Sequence, residues 1–110
     1  MKPQRILVLG SGFVADSIAD YFAKFSSIKV TFATIDRISG EKICSRCPER
    51  FSLEILNAVS EKEKLDKLVK SHSLVMSLIP PPLHPHVAES CLRMNTDLVT
   101  SSYLSPRKSY

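Results

Sequence analysis

The chain has 110 residues, of which 44% are apolar and 24% are charged, with a formal net charge of +4. That composition is typical of one small globular domain and excludes a disordered chain, and the length leaves little room for a second domain. The chain has three cysteines and no apolar run near the roughly 18 residues of a membrane span. Its only signal-like run follows Lys2 and Arg5 and is cut short by glycines. These features predict a soluble, cytoplasmic protein without a membrane partner.

The first predicted elements are a strand, a glycine turn and a helix. Arg5 to Leu9 is a nearly continuous apolar run, as in a strand buried on both faces of a parallel sheet. Gly10-x-Gly12-x-x-Ala15 follows, and it opens a helix with apolar residues at helical spacing, at Val14, Ile18, Tyr21, Phe22 and Phe25.

This order of elements is the context that a dinucleotide-binding fingerprint requires. Gly10 would permit the sharp turn, Gly12 would let the backbone approach a pyrophosphate, and Ala15 would keep the helix close to its strand. The pyrophosphate would sit at the helix N-terminus, where unpaired N–H groups and the positive end of the dipole favour an anion. A glycine turn without a ligand gives the same pattern, so the motif alone leaves both interpretations open.

The second predicted strand, Ile28 to Thr34, is rich in β-branched and aromatic residues. Asp36 and Arg37 follow it, roughly twenty residues beyond the glycine turn. An acid at this point bonds the adenosine ribose hydroxyls and an arginine can hold the 2′-phosphate of NADP, so the pair fits both NAD and NADP. The alternative without function is an exposed turn that carries one salt bridge.

The segment from Ser39 to Arg50 is predicted to form a short helix, which Pro48 ends. The segment contains a Cys-x-x-Cys unit at Cys44 and Cys47. A zinc site would need a second such pair, and a thioredoxin-like site would follow a first strand. We therefore expect two unpaired thiols.

Phe51 to Leu56 is the third predicted strand, and Ser60 with Glu63 three places later fits a capping box. The helix that this box opens continues through Leu65, Leu68 and Val69. Acidic and basic residues alternate from Glu61 to Lys67, which is typical of a solvated helix face and not of a surface that binds nucleic acid.

Leu74 to Ile79 is the fourth predicted strand, and Pro80 to Pro82 ends it. A helix marked by Val87, Cys91 and Met94 follows, with Cys91 in the core, and Asp97 to Thr100 begins a fifth strand. This alternation predicts a single domain over residues 1–110 with a Rossmann-like, doubly wound α/β fold, a parallel sheet of about five strands and helices on both faces.

Ligands of such sheets bind at the carboxyl ends of the strands, near the point where strand order reverses. Asn57 follows the third strand, and the proline-rich segment Ser77 to His86 follows the fourth, where a stiff backbone suits the wall of a site. His84 and His86 could bind a metal or move protons, but no acidic or cysteine partner stands at ligand spacing, so we predict no metal site.

Three segments together resemble the saccharopine dehydrogenase (saccharopine reductase) family of lysine metabolism: ILVLGSGFVA, HSLVMSLIPPPLHPHVAESC and TDLVTSSYLSP. The resemblance runs from about Arg5 to Pro106. It implies an oxidoreductase that uses NADP or NAD and interconverts saccharopine with glutamate and 2-aminoadipate semialdehyde by hydride transfer. It also implies a separately folded, often dimeric substrate domain after the nucleotide-binding half.

The resemblance also assigns binding residues and leaves the catalytic residues unknown. The pyrophosphate would contact Ser11, Gly12, Phe13 and Val14, next to Gly10. The adenosine ribose would face Thr34 to Arg37, with Asp36 among them, and the adenine would face Asn57 or a neighbouring residue. The middle of the cofactor would contact Ser77, Leu78, Ile79 and Pro80, and Ser102 and Tyr103 would approach saccharopine.

Three departures from the family pattern matter. Relatives that use NADP carry an arginine where this chain has Ile35, and relatives commonly have a tyrosine where it has Pro81. The similarity stops at Pro106, so we predict the nucleotide-binding half alone, inactive without its substrate domain. Its expected partners are a second copy of the chain, in a homodimer, or the missing substrate domain. The alternatives are a non-catalytic NAD(P)-binding or regulatory module, and a fold that binds no ligand and needs a partner on its edge strand.

Overall fold

A computed structural model describes residues 4–10, 13–25, 27–79 and 81–100. Five strands alternate with four α-helices in this part of the chain, and a short 3₁₀ turn, Pro81–Leu83, precedes the last helix. In chain order the elements are β1 (Gln4–Leu9), α1 (Phe13–Ala23), β2 (Ile28–Thr34), α2 (Arg37–Cys44), β3 (Phe51–Ile55), α3 (Lys62–Lys70), β4 (Leu74–Ser77), α4 (His84–Met94) and β5 (Asp97–Thr100).

The strands form one parallel sheet in the order β3-β2-β1-β4-β5. From β1 the chain winds outward through β2 to β3, then returns to the other side of β1 with β4 and β5. Strand order therefore reverses between β1 and β4. The structure confirms the predicted Rossmann-like, doubly wound fold.

Two apolar clusters hold the helices on opposite faces of the sheet, and β1 contributes to both. Ile6 and Val8 pack with α1 and α2, whereas Leu7 and Leu9 pack with α3 and α4. All four side chains are at most 3% exposed. This double burial is why β1 reads as a continuous apolar run rather than as an alternating one.

The aromatic residues near the end of α1 are less buried than their helical spacing predicts. Phe22 lies in the core, but Tyr21 is 58% exposed and Phe25 is 39% exposed. The helix ends at Ala23, so Phe25 lies outside the regular spacing. Tyr21 and Phe25 instead contact each other, with ring centroids 5.0 Å apart.

The predicted capping box at Ser60 is wrong, because the side chain of Asn57, and not that of Ser60, accepts the backbone hydrogen bonds of this turn. The Asn57 side-chain oxygen accepts hydrogen bonds from the N–H groups of Val59 and Ser60, at 3.0 and 3.1 Å. In return, Glu61 Oε1 accepts the N–H of Asn57 at 2.8 Å. The turn delays α3 to Lys62, with Glu61 at its N-cap.

The helix predicted from Ser39 begins earlier and ends earlier. Asp36 is its N-cap, because the Asp36 carboxylate accepts hydrogen bonds from the N–H and the hydroxyl of Ser39, at 3.2 and 2.8 Å. The helix ends at Cys44, four residues before Pro48. Cys47 is buried in the core, Cys44 is half-buried, and both are free thiols. Cys91 is a core residue, as predicted.

None of the helices in the described part of the chain is both long and apolar enough to cross a bilayer.

Candidate functional site

The carboxyl ends of four strands frame a cavity of about 490 Å³. It lies beside the reversal of strand order between β1 and β4, where open α/β sheets bind their ligands. The residues that line it are Leu9, Gly10, Ala33, Thr34, Ile35, Asp36, Leu56, Asn57, Ala58, Val59, Leu78, Ile79 and Leu83. Most of this wall is apolar, with a few polar groups at its rim, as is usual for a small-molecule site.

Gly10 forms the corner of the cavity where β1 ends. Its φ is +113°, a conformation that side chains disfavour, and a Cβ there would lie 3.3 Å from the backbone carbonyl carbon of Leu78. The Gly10 N–H donates to the Ala33 carbonyl at 2.8 Å, and the Leu78 N–H donates to the Leu9 carbonyl at 2.8 Å. Three strand ends thus meet around a residue that has to be glycine.

The end of β2 carries the polar rim. The Asp36 N–H donates to the Thr34 hydroxyl at 3.1 Å, while the Asp36 carboxylate is held by Ser39. Hydrogen bonds from the side chain and then the backbone of Ser39 lower the pKa of Asp36 below its ordinary value. The carboxylate is therefore ionised at neutral pH and fixed in orientation. Ile35 beside it is 69% exposed.

Ser77 lies at the cavity end of β4, opposite Leu9 in the strand register. Its side chain is fully buried, and its hydroxyl has no hydrogen-bond partner among the described residues. An unsatisfied buried hydroxyl costs about 1–3 kcal/mol, which is unusual in a well-packed sheet.

The structure brings six of the predicted site residues to the cavity wall: Gly10, Thr34, Asp36, Asn57, Leu78 and Ile79. Ser77 is buried and does not line the cavity, and Phe13 and Val14 form the first turn of α1. Arg37 does not line it either, and its guanidinium lies 3.8 Å from a Glu41 carboxylate oxygen. The predictions for Ser11, Gly12, Pro80, Ser102 and Tyr103 lie outside the described residues.

Sequence reasoning missed most of the apolar part of the wall, namely Leu9, Ala33, Leu56, Ala58 and Val59, whereas Ile35 and Leu83 lie in segments that it had marked. Most of these residues end strands or follow them, so the strand-end rule already contained the signal, but apolar side chains carry no chemistry that singles them out. His86 is exposed on α4. Over residues 4–10, 13–25, 27–79 and 81–100, no cluster of three or more His, Cys, Asp and Glu side chains is arranged to hold a metal ion.

Comparison with known proteins identifies the family. A family model described as the saccharopine dehydrogenase NADP binding domain matches residues 6–110. The chain is 38% identical over 104 residues to saccharopine dehydrogenase (NADP(+), L-glutamate-forming) of Saccharomyces cerevisiae, which covers 94% of this chain and 22% of that protein. It is 32% identical over 105 residues to the mitochondrial alpha-aminoadipic semialdehyde synthase of Rattus norvegicus, which covers 94% of this chain and 11% of the relative.

Solved structures agree with this assignment. Apo saccharopine dehydrogenase (L-Glu forming) from Saccharomyces cerevisiae superposes with a TM-score of 0.81 at 37% identity, over 94% of this chain and 22% of that one. Yeast methylglyoxal/isovaleraldehyde reductase complexed with NADPH gives a TM-score of 0.70 at 17% identity, over 88% of this chain and 36% of that one. The second likeness shows the fold alone.

The chain spans only about a fifth of the length of the yeast relative and about a tenth of the rat one. The match to each relative nonetheless covers nearly the whole of this chain. The domain family that this chain matches binds a cofactor of the NADP or NAD type. The chain belongs to the saccharopine dehydrogenase family and corresponds to its NADP-binding domain.

Proposed function

We propose that this chain holds NADP or NAD at the carboxyl edge of its sheet, as the cofactor-binding part of an oxidoreductase that acts on saccharopine. The observation that carries the proposal is the bare backbone of Gly10 beside a cavity of about 490 Å³ at the strand-order reversal. This is where the polar and apolar parts of a dinucleotide find matching surfaces in this fold.

The residues present fit the adenosine half of such a cofactor. Leu56, Ala58 and Val59 offer an apolar wall to the adenine faces, with Asn57 at its rim. The Asp36 carboxylate accepts hydrogen bonds, which suits the ribose hydroxyls. The apolar wall and Asn57 follow β3, and Asp36 follows β2, so the sheet itself sets the spacing between them.

The pyrophosphate belongs at the first turn of α1 in this proposal. Helix α1 begins at Phe13, and the first N–H groups of a helix have no partner within it. Phe13 and Val14, with Ser11 and Gly12 before them, would therefore offer donors to an anion. Beyond it, the segment from Ser77 to Pro80 would face the middle of the cofactor, where the buried Ser77 hydroxyl lacks a partner among the described residues.

The chemistry of the reaction resides in the nicotinamide ring, which takes or gives the hydride. This chain binds the cofactor, fixes its orientation and shields part of it from water. We further propose that Ser102 and Tyr103 lie at the approach to saccharopine and that a substrate domain lies elsewhere in the protein. The proposal also includes a homodimer and a cytoplasmic location. We expect no saccharopine oxidation from residues 1–110 by themselves, because positioning the substrate requires that domain.

Calorimetric titration of the 110-residue chain with NADH and NADPH tests the proposal. We expect saturable binding of at least one dinucleotide with one site per chain. Ala58→Phe fills the cavity and should abolish binding, whereas Leu92→Phe enlarges an exposed side chain on α4 and should leave it unchanged. A folded wild-type chain that binds neither dinucleotide would refute the proposal.

A further inference from the structure

The rim of the cavity carries a fixed negative charge where a bound adenosine ribose would lie. Among the described residues of the wall, Asp36 is the charged one. Its two carboxylate oxygens are anchored by the N–H and the hydroxyl of Ser39, and its own N–H is anchored by Thr34. With the backbone N–H of Ile38 as a third donor, the carboxylate still has a lone pair that can accept a ribose hydroxyl, and its negative charge repels a phosphate.

The nearby cations, Arg37 and Lys64, do not line the cavity. Arg37 lies 3.8 Å from the Glu41 carboxylate and does not line the cavity. The Lys64 ammonium donates to the Ile55 carbonyl at 2.6 Å and lies 3.8 Å from Glu54. A 2′-phosphate would have to draw one of these groups toward the cavity.

The apolar side chains that flank Asp36 offer a phosphate nothing. Ile35 is 69% exposed at the rim, and Ile38 is 80% exposed on the first turn of α2. Neither side chain carries a donor, so a phosphate there would depend on Arg37 and on the first backbone N–H groups of α2.

We propose that this chain prefers NAD to NADP, and that the anchored carboxylate of Asp36, with Ile35 beside it, sets the preference. The inference rests on the proposed function and refines it, since it concerns the same cavity. It runs against the cofactor in the family's description and in the name of the yeast relative. The discriminating elements are a carboxylate that accepts from a ribose hydroxyl and the lack of a cation among the described residues of the wall.

Calorimetric titrations of the 110-residue chain with NADH and with NADPH, at neutral pH and low salt, test the preference. We expect NADH to bind at least about tenfold more tightly. Asp36→Asn keeps a good N-cap while removing the charge, and it should bring the two dissociation constants within about threefold of each other. Ile35→Arg supplies a donor for the 2′-phosphate and should strengthen NADPH binding alone.

Asp97→Asn is the matched control, because it removes the same charge from an exposed residue at the opposite edge of the sheet and should leave the NADH to NADPH ratio unchanged. NADPH binding as tight as NADH binding in the wild-type chain overturns the preference. A preference for NADH that survives Asp36→Asn overturns the role of that carboxylate. Binding of neither dinucleotide overturns the proposed function, and this inference with it.

Discussion

The guanidinium of Arg50 lies 2.8 Å from the carbonyl oxygen of Ala23, the last residue of α1. The same side chain donates to the carbonyls of Phe22 and Ile28, at 3.3 and 3.1 Å, and to that of Phe25. Helix α1 has no basic residue in its own last turn, so a residue that precedes β3 supplies the cation that its C-terminus favours. The helix whose N-terminus faces the proposed pyrophosphate site is thereby fixed at its other end.

Arg50→Ala should lower the free energy of unfolding by about 2–3 kcal/mol, because several carbonyls lose a charged donor at once. Urea titration measures the change. Arg37→Ala removes an arginine from an exposed pair on α2 and should cost no more than about 0.5 kcal/mol. Equal losses in the two variants would contradict the capping role of Arg50.

Gly10 and Gly40 should respond differently to alanine. At Gly10, φ of +113° and the backbone of Leu78 both oppose a side chain, so Gly10→Ala should cost about 1–3 kcal/mol. At Gly40 an added Cβ meets the flexible Cδ1 end of Leu53 and lies 3.1 Å from Thr34 Cγ2. Leu53 can move, and alanine favours the helix, so Gly40→Ala should stay within about 1 kcal/mol of wild type by urea titration. A Gly40→Ala variant that loses more unfolding free energy than Gly10→Ala would contradict this prediction.

Ser90 and Asp66 join α4 to α3 at a buried point. The fully buried Ser90 hydroxyl donates to Asp66 Oδ1, which also accepts from Arg93 at 2.9 Å. The hydrogen bond from Ser90, and then that from Arg93, lowers the pKa of Asp66. Ser90→Ala should cost about 1–2 kcal/mol of unfolding free energy at neutral pH, measured in urea.

The control for that loss is Ser52→Ala, which removes an exposed hydroxyl from β3 and should change stability by less than about 0.5 kcal/mol. Ser90→Ala should also raise the pKa of Asp66. In wild type the stabilisation linked to this lowered pKa is present above the unfolded value and is lost as pH falls through the folded one, so the variant should lose less stability on acidification. A Ser90→Ala chain as stable as wild type would show that the contact contributes nothing.

His72 lies at the opposite edge of the sheet from the cavity, and it makes the stability of the fold depend on pH. It is buried, with Nδ1 2.6 Å from the Leu68 carbonyl and Nε2 2.8 Å from the Thr31 hydroxyl. A carbonyl only accepts, so Nδ1 carries the proton and Nε2 accepts from Thr31. Burial lowers the pKa of His72 below its ordinary value, with the charge of Arg5 acting in the same direction and the Leu68 hydrogen bond opposing it.

The unfolded chain therefore takes up the His72 proton at higher pH than the folded one. Stability should be greatest above the unfolded pKa and should fall as pH drops from there toward the folded pKa. Urea titrations at pH 7.5 and pH 5.5 should show this loss in wild type and in His86→Gln, whose imidazole is exposed, and a smaller loss in His72→Gln. An unchanged loss in His72→Gln would assign the pH dependence to other groups.

The fold was predictable from sequence because β1 is buried on both faces and because the strands and helices alternate. The site was predictable in outline for the same reason, since parallel strands place their carboxyl ends at one edge. The role of Asn57 as the capping residue of its turn was not predictable from the sequence, because this role depends on where β3 ends and not on the Ser60 to Glu63 spacing. The double role of Asp36, helix cap and cavity rim, also emerges only when β2 and the first turn of α2 are seen together.

The central claim is that the carboxyl edge of the sheet binds the adenosine half of the cofactor, and amide chemical-shift mapping with NADH tests it residue by residue. The largest shifts should occur at Gly10, Asp36, Asn57 and Ala58, and the amides of His72 and Asp97 at the other edge of the sheet should not change. Shifts centred on His72 and Asp97, or none at saturating NADH, would contradict it.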